Sequence, residues 1–480
     1  MDLYKIISQL TQEEYEELYN SFMVNKAEKS AAFLATIRKN PKNPDREFLR
    51  AFDISAPAFY VLKSRLGQKV ETYLLNRVGN TNLHILKRVL NINELMFNNP
   101  REITITALRK LEKELVRFDF PYGLMVTYKG LQNMHTYDGT KYDFYKSKYT
   151  QQVAFALAVD RGNDLVIEFF RSYDSYFMTR RDKDLNDMIK IMERIDNYNN
   201  LYESHRLYIA KAIIHIFARL FIPIPDTIRC EIEPVEKMFE QCFEILSTYE
   251  EDSLYKQLNL VFDYLRFIYY DNRGDSARSR IYFDILDYKI EELLTRYHFN
   301  VNTSLILFRK LKYHMQSNTR RELLYDVENY LSHIEIDPYR ISYFINYYMF
   351  LAQSYFVNGE YKRCARLLYR LLNEVNMRKQ SHVYLEVRLL QALAYVKMGD
   401  FDLANQLILS LQRQLRKTTL TNKYHNAKAF LKVLSIELGG KPKTKEKNLR
   451  NYIEKWKVAN SGRYALLEDI DLESLFLNRR

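Results

Sequence analysis

The side chains best able to do chemistry in this 480-residue chain form a basic run near its C-terminus. The run contains Lys441, Lys443, Lys445, Lys447, Arg450, Lys455 and Lys457. Between residues 411 and 463, fourteen lysines and arginines face three acidic residues, so this stretch carries an excess of eleven of the +12 formal net charge. Such a patch can hold phosphates through counterion release or bind an acidic peptide. The plainer interpretation is a solvated face that keeps the end of a helical array soluble.

The other ionisable residues form no recognised catalytic or metal-binding pattern. The patterns GxxxxGK[ST], GxGxxG, GxSxG and HExxH do not occur in the sequence. Gly440 and Lys441 precede a proline, which has no backbone N–H to offer a phosphate. His205 and His215 are ten residues apart, whereas metal ligands on one helix face are three or four apart. We therefore expect no catalytic residue, no metal site and no cofactor.

A residue pattern that occurs twice, forty residues apart, predicts the elements that position these side chains. Its copies are Ala352, Tyr355, Gly359, Glu360 and Cys364, and then Ala392, Tyr395, Gly399, Asp400 and Ala404. The alanine lets two helices approach closely, and the tyrosine on the same helix face fills the adjoining gap. The glycine ends the first helix in the left-handed conformation. The acidic residue then starts the second helix, near the positive end of its dipole. Each copy thus predicts an antiparallel helix pair.

This pattern resembles the tetratricopeptide repeat family between about residues 340 and 412. The family period is about 34 residues, so a spacing of forty implies longer helices or a longer loop between pairs. Where the family favours tryptophan, this chain has Tyr348 and Arg388. The resemblance implies a right-handed solenoid whose concave face binds a peptide. By the same resemblance, the residues facing that groove would be Asn346, Met349, Gln353, Phe356, Glu386, Leu389 and Lys397.

The chain divides into four predicted parts. One of them, the array, must extend beyond the two clear copies, because roughly three stacked pairs are needed before each can bury its apolar faces. Residues 1–120 are expected to form an N-terminal helical module, and residues 121–200 an irregular helical connector. Residues 201–457 are expected to form the array of helix pairs. Residues 458–480 are acidic and apolar. We expect this tail to cover the end of the array; docking on the basic segment or on another protein are the alternatives.

Three features predict breaks within the connector. Residues 121–123, Pro-Tyr-Gly, are typical of a loop. Residues 160–163, Asp-Arg-Gly-Asn, are typical of a turn between two helices that make a degenerate repeat. Residues 180–184 carry charges of both signs and are expected to be a solvated link.

Composition favours an all-α protein of the cytoplasm. Only 12 glycines and 10 prolines occur in the chain, well below the usual ~7% and ~5% that loop-rich proteins need. Cys230, Cys242 and Cys364 form no CxxC, which indicates a reducing compartment. The most apolar run, residues 210–225, contains Lys211, His215 and Arg219 and is too short to cross a bilayer. We therefore expect no membrane insertion.

The predicted function is non-catalytic: a scaffold or adaptor that binds a protein or peptide on the concave face. The alternative is a regulator that binds nucleic acid, either through residues 411–463 or through an N-terminal helix-turn-helix-like element. In that element, residues 55–77 form the second helix. It would present Tyr60, Lys63, Arg65 and Lys69. The sequence leaves the partner and the oligomeric state open.

Overall fold

The structure is a computed structural model in which the described residues form helices and connecting segments, without a strand. The described residues are 3–8, 10–40, 44–52, 54–77, 83–225, 233–250, 252–334, 336–377, 380–417, 423–439 and 442–477. The prediction of an all-α protein is confirmed for this part of the chain. In the same residues, no helix is both long enough and apolar enough to span a membrane.

Short helices make up the N-terminal part. They are α1 (Leu3–Ser8), α2 (Gln12–Val24), α3 (Glu28–Lys39), α4 (Pro44–Phe52), α5 (Ala56–Arg77), α6 (Leu83–Leu90), α7 (Ile92–Asn98) and α8 (Arg101–Arg117). Buried side chains of α1 to α5 form one hydrophobic cluster, with Phe33, Phe48 and Phe59 in mutual contact. Buried side chains between residues 85 and 145 form a second cluster.

The connector contains fewer and longer helices than the sequence suggests. They are α9 (Pro121–Met134), α10 (Gly139–Thr179) and α11 (Asp182–Leu201), and α12 (His205–Phe221) follows them. The predicted loop at residues 121–123 is wrong, because Pro121 is the first residue of α9. Proline suits that position, where a backbone N–H would have no partner within the helix.

The predicted turn at residues 160–163 is also wrong, because it lies inside α10, a continuous helix of 41 residues. Gly162 is buried there, and a Cβ atom added to it would lie 2.6 Å from Leu207 Cδ2 of α12. The glycine therefore allows two helices to approach closely rather than letting the chain reverse. The degenerate helix pair expected in this region does not exist.

Substitution of Gly162 by valine is expected to lower the free energy of unfolding by about 1–3 kcal/mol, because the added carbons overpack the contact with Leu207. The matched control is Gly67→Ala in α5. There the nearest atom to an added Cβ is Leu3 Cδ1 at 4.0 Å, so better helix propensity should stabilise the protein by up to about 1 kcal/mol. Urea unfolding measures both changes. Equal effects of the two substitutions would contradict the close approach.

The rest of the chain is a series of helices that mostly pack on their neighbours in sequence. They are α13 (Val235–Thr248), α14 (Ser253–Arg273), α15 (Ser276–Tyr288), α16 (Ile290–Thr295), α17 (Ile306–Gln316), α18 (Arg320–His333), α19 (Ile341–Val357), α20 (Tyr361–Glu374), α21 (Ser381–Met398), α22 (Phe401–Lys417), α23 (His425–Gly439), α24 (Pro442–Ala459) and α25 (Leu472–Phe476). Helix α17 also contacts α19, and α21 contacts α23. First helices of neighbouring pairs are therefore in contact at these two places.

The repeated residue pattern has the local geometry that the sequence predicts. Gly359 and Gly399 follow the first helices with φ of 80° and 76°, a left-handed conformation that suits glycine. Asp400 accepts a hydrogen bond from the Leu403 backbone N–H at 3.2 Å and so caps α22. Ala352 and Ala392 are fully buried at the helix crossings.

Helix α10 joins the helices around it in sequence to one helix of this series. It packs on α9, α11 and α12, and it also contacts α21. Its residues from Ala158 onward belong to a third hydrophobic cluster, which extends to Phe476. Helices far apart in sequence therefore share one core around the C-terminal half of α10, and this core positions the candidate site.

Candidate functional site

The candidate site is a cavity of about 460 Å³ that is lined in part by residues of the third cluster. Four of the seven residues predicted to face a groove line it: Asn346, Met349, Gln353 and Glu386. The other walls come from the end of α10, from α12 and α17, and from residues 465–469 of the tail. Elements widely separated in sequence therefore converge on this space.

Charged side chains of both signs line the cavity. The basic ones are Arg180, Arg309 and Lys312, and the acidic ones are Glu386, Glu468 and Asp469. Arg309 is held at the rim, since it binds Asp271 at 2.6 Å and the Asn272 side chain at 2.8 Å. The Arg180 guanidinium lies over the rings of Tyr176 and Phe177, at 5.4 and 5.3 Å from their centres.

Glu386 joins the cavity wall to the tail. Its carboxylate accepts a hydrogen bond from the backbone N–H of Leu467 at 2.9 Å. Burial raises the pKa of Glu386 to about 7, and the charges of Glu468 and Asp469 add to this, whereas Leu467 and Arg180 oppose it. Burial likewise raises the pKa of Asp469 to about 6. The tail and α21 thus bring together carboxyl groups that are costly to ionise.

The substitution Glu386→Gln is expected to stabilise the protein at pH 8 more than at pH 5. The raised pKa of Glu386 contributes stability below its unfolded value of 4.5, and this contribution is lost as the pH rises through about 7. Glutamine carries no such dependence and still accepts the bond from Leu467. The gain over wild type should grow by up to about 3 kcal/mol across this range. Urea unfolding at both pH values measures it, with the exposed Glu193→Gln as control. A gain that is independent of pH would contradict the assignment.

Asn346 is part of a buried polar network. Its Nδ2 donates to Ser304 Oγ at 2.9 Å, and Ser304 Oγ donates to Asn302 Oδ1 at 2.6 Å. Asn302 Nδ2 in turn donates to Asp174 of α10 at 3.2 Å. Burial raises the pKa of Asp174 to about 6. The network links α10 to α19 through hydrogen bonds, and the side-chain amide of Asn346 is part of this link.

The remaining predicted groove residues divide into two groups. Phe356 and Leu389 are buried in the hydrophobic core, with 2% and 0% of their surface exposed. Lys397 binds the tail, because its Nζ donates to the backbone oxygen of Leu475 at 2.6 Å and lies 4.5 Å from the centre of the Phe476 ring. Of the seven, Met349, Gln353 and Glu386 line the cavity without belonging to the Asn346 network.

The tail docks on its own chain. It forms a 3₁₀ turn (Gly462–Tyr464), an irregular stretch and the short helix α25. Its large apolar side chains are almost fully buried in the third cluster: Leu466, Leu467, Ile470, Leu472 and Phe476. Asn426 anchors its start by donating to Asn460 Oδ1 at 2.8 Å and to the Tyr464 backbone oxygen at 2.7 Å. Lys457 pairs with Glu473.

Most of the predicted basic patch makes contacts within the chain. Lys441 and the side chain of Lys443 lie outside the described residues. Lys445 binds Glu437 at 3.1 Å, and Arg450 lies 3.5 Å from Glu446. Lys455 lies 4.8 Å from the centre of the Tyr452 ring. Lys447 is exposed, and Lys457 binds the tail as described.

The helix-turn-helix-like element is also partly engaged by its own chain. Lys63 binds Asp45 at 3.1 Å and lies 4.1 Å from the centre of the Tyr4 ring. Lys69 lies 5.2 Å from the centre of the Phe22 ring. Tyr60 and Arg65 are exposed.

Arg180 is the functional candidate that sequence reasoning missed. Residues 180–184 were expected to be a solvated link, but Arg180 is half-buried beside the cavity. The guanidinium of Arg463 lies 5.1 Å from the centre of the Tyr176 ring and donates to the Arg180 backbone oxygen. The alternation of apolar and acidic residues in 465–472 was the one signal for the tail.

The described residues show no metal site and no reactive thiol. No three His, Cys, Asp or Glu side chains among them are grouped so that they could hold a metal ion. Cys242 and Cys364 are buried, and burial raises the pKa of both thiols, which keeps them protonated. Cys230 lies outside the described residues. No known family model, curated protein or solved structure matches the chain.

Proposed function

We propose that this chain is a non-catalytic scaffold or adaptor of the cytosol that binds a protein or peptide. The helix pairs would form a solenoid similar to tetratricopeptide repeats, and the first helices of the pairs would supply the binding wall. The partner would place a short segment in the cavity beside Met349, Gln353 and Glu386.

The observation that carries this proposal is the way in which the chain's own tail lies on the same wall. Leu467 is held there by a backbone hydrogen bond to Glu386 at 2.9 Å, and its side chain is 1% exposed. A peptide segment is recognised in this manner, through a backbone donor and neighbouring apolar pockets. The wall therefore has the chemistry that a partner segment needs.

The nucleic-acid alternative receives less support. A protein that binds duplex DNA uses lysines and arginines that are free to contact phosphates. Lys445, Lys457 and Lys63 are instead bound to carboxylates of their own chain. A mobility-shift assay at low salt is expected to show no complex, and a complex that weakens steeply with salt would reverse this preference.

Affinity purification followed by mass spectrometry identifies the partner, and substitutions at the cavity then test where it binds. Lys312→Gln, which changes a half-buried cavity residue, is expected to weaken the complex about tenfold, roughly 1.4 kcal/mol. The matched control is Lys432→Gln on the exposed face of α23, which should change the affinity less than twofold. Equal affinities for both variants would exclude the cavity as the binding site.

A further inference from the structure

Two polar atoms at the cavity have no hydrogen-bond partner among the described residues. Gln353 is 4% exposed, and its side-chain oxygen accepts no hydrogen bond. The Nε of Arg180 is buried and donates none. A buried polar atom without a partner destabilises the folded protein. The two residues come from separate parts of the chain, α19 and the end of α10, yet both line the same space. One acceptor and one donor of the lining residues are therefore left unpaired among the described residues.

The charges around these atoms are incompletely paired. Arg180 approaches Glu386 closely enough to lower its pKa, but burial and the neighbouring acids outweigh it. At Asp469, Arg309 and Lys312 act in the same direction and are likewise outweighed by burial. Both carboxyl groups therefore keep a raised pKa, although Arg180, Arg309 and Lys312 lie near them. At the same time, its basic groups can still accept a negative charge.

The remainder of the lining is apolar and aromatic. It comprises Tyr173, Phe177, Phe221, Phe308 and Met349. A volume of about 460 Å³ lies in the lower part of the 300–1,000 Å³ range of small-molecule sites. An apolar and aromatic lining beside basic and acidic side chains suits a small ligand that has an apolar side chain, one positive group and one negative group.

We infer that the cavity binds a zwitterionic ligand with an apolar side chain, namely an α-amino acid or a short peptide with free termini. Its ammonium group lies at Gln353, Glu386 and Asp469, and its carboxylate at Arg180 and Lys312. The aromatic wall receives the side chain. This inference rests on the proposed function, because it names the ligand chemistry of the same cavity.

Thermal unfolding of the full chain with leucine, Leu-Leu and acetyl-Leu-Leu-amide tests the charge requirement without any substitution. At a concentration of 100 times the dissociation constant, a ligand that binds only the folded protein shifts the unfolding equilibrium about 100-fold. A zwitterionic probe should therefore raise the melting temperature, and the blocked probe should not. Leucine acting alone identifies an amino-acid site, and Leu-Leu acting alone a peptide site. No shift with either zwitterion, or an equal shift with the blocked probe, overturns the inference.

Substitutions then locate the site. Arg180→Gln and Glu386→Gln should each weaken the zwitterion at least tenfold in isothermal titration, whereas the exposed Arg171→Gln and Glu193→Gln should not. Zwitterions that fail to bind, together with a partner complex weakened by Lys312→Gln, would refute this ligand but retain the proposed function. Zwitterions that bind, together with a partner complex insensitive to Lys312→Gln, would retain this ligand but refute the proposed function.

Discussion

Deletion of residues 461–480 is expected to lower the melting temperature by a few degrees. The deletion exposes the cluster that Leu466, Leu467, Ile470, Leu472 and Phe476 cover. Each buried side chain of this type contributes about 1.5–3 kcal/mol. The conformational entropy that the tail regains offsets part of this sum. The net loss remains large against a total stability of about 5–15 kcal/mol.

Single leucine substitutions provide the control for this deletion. Leu472→Ala, at a fully buried position of the tail, should cost about 2–5 kcal/mol. Leu409→Ala, at a position that is 44% exposed on α22, should cost less than about 1 kcal/mol. Calorimetry and size-exclusion chromatography give the readouts. An unchanged melting temperature and oligomeric state after the deletion would show that the tail does not cover this core.

Replacement of Lys310 by alanine is expected to lower the free energy of unfolding by about 3–5 kcal/mol. Lys310 is 2% exposed, and its ammonium group pairs with Asp287 and, at 2.8 Å, with Asp326. It also lies 5.7 Å from the centre of the Tyr330 ring. Its removal leaves two carboxylates facing each other without a cation, and it opens a space in the packing between α17 and α18.

The exposed Lys362→Ala is the matched control and should change the stability by less than about 0.5 kcal/mol. Lys310→Met fills the space without the charge, so it should recover part of the loss. Urea unfolding measures all three variants. A loss below about 1 kcal/mol for Lys310→Ala would mean that water already compensates the two aspartates.

Local features of the helix pairs could be predicted from the sequence because they depend on neighbouring residues. Gly359 and Gly399 end helices, since the left-handed conformation penalises any residue with a Cβ. The small residues Ala352 and Ala392 lie at crossings for the same local reason. Both requirements recur in each copy of the pattern, so the same residue types appear again forty residues later and can be recognised in the sequence.

Contacts between distant segments could not be predicted in this way. Gly162 stands among polar residues that are typical of a turn, but its requirement comes from Leu207 in another helix. A glycine needed for close packing and a glycine needed for a turn are indistinguishable in a single sequence. The same holds for Asn346. Its polarity suggests ligand binding, but its side chain donates a hydrogen bond to Ser304 within a buried polar network.

The cavity itself was predicted only in part. The resemblance to tetratricopeptide repeats assigned Gln353 and Glu386 to a groove, and both line the cavity. The tail that closes the space, and Arg180, come from distant parts of the chain. Their contribution depends on how α10 meets α21, for which no repeated pattern exists.

Helix α10 also fixes the orientation of the second hydrophobic cluster relative to the third. It belongs to the second hydrophobic cluster at Tyr145 and to the third from Ala158 onward, with no flexible link between. A helix of 41 residues is about 60 Å long, and each added residue turns the remainder of the helix by about 100°. One inserted residue between positions 150 and 157 would therefore rotate the second cluster, formed by residues 85–145, out of its present orientation to the third cluster. The number of residues in α10 therefore determines how the second and third clusters are aligned.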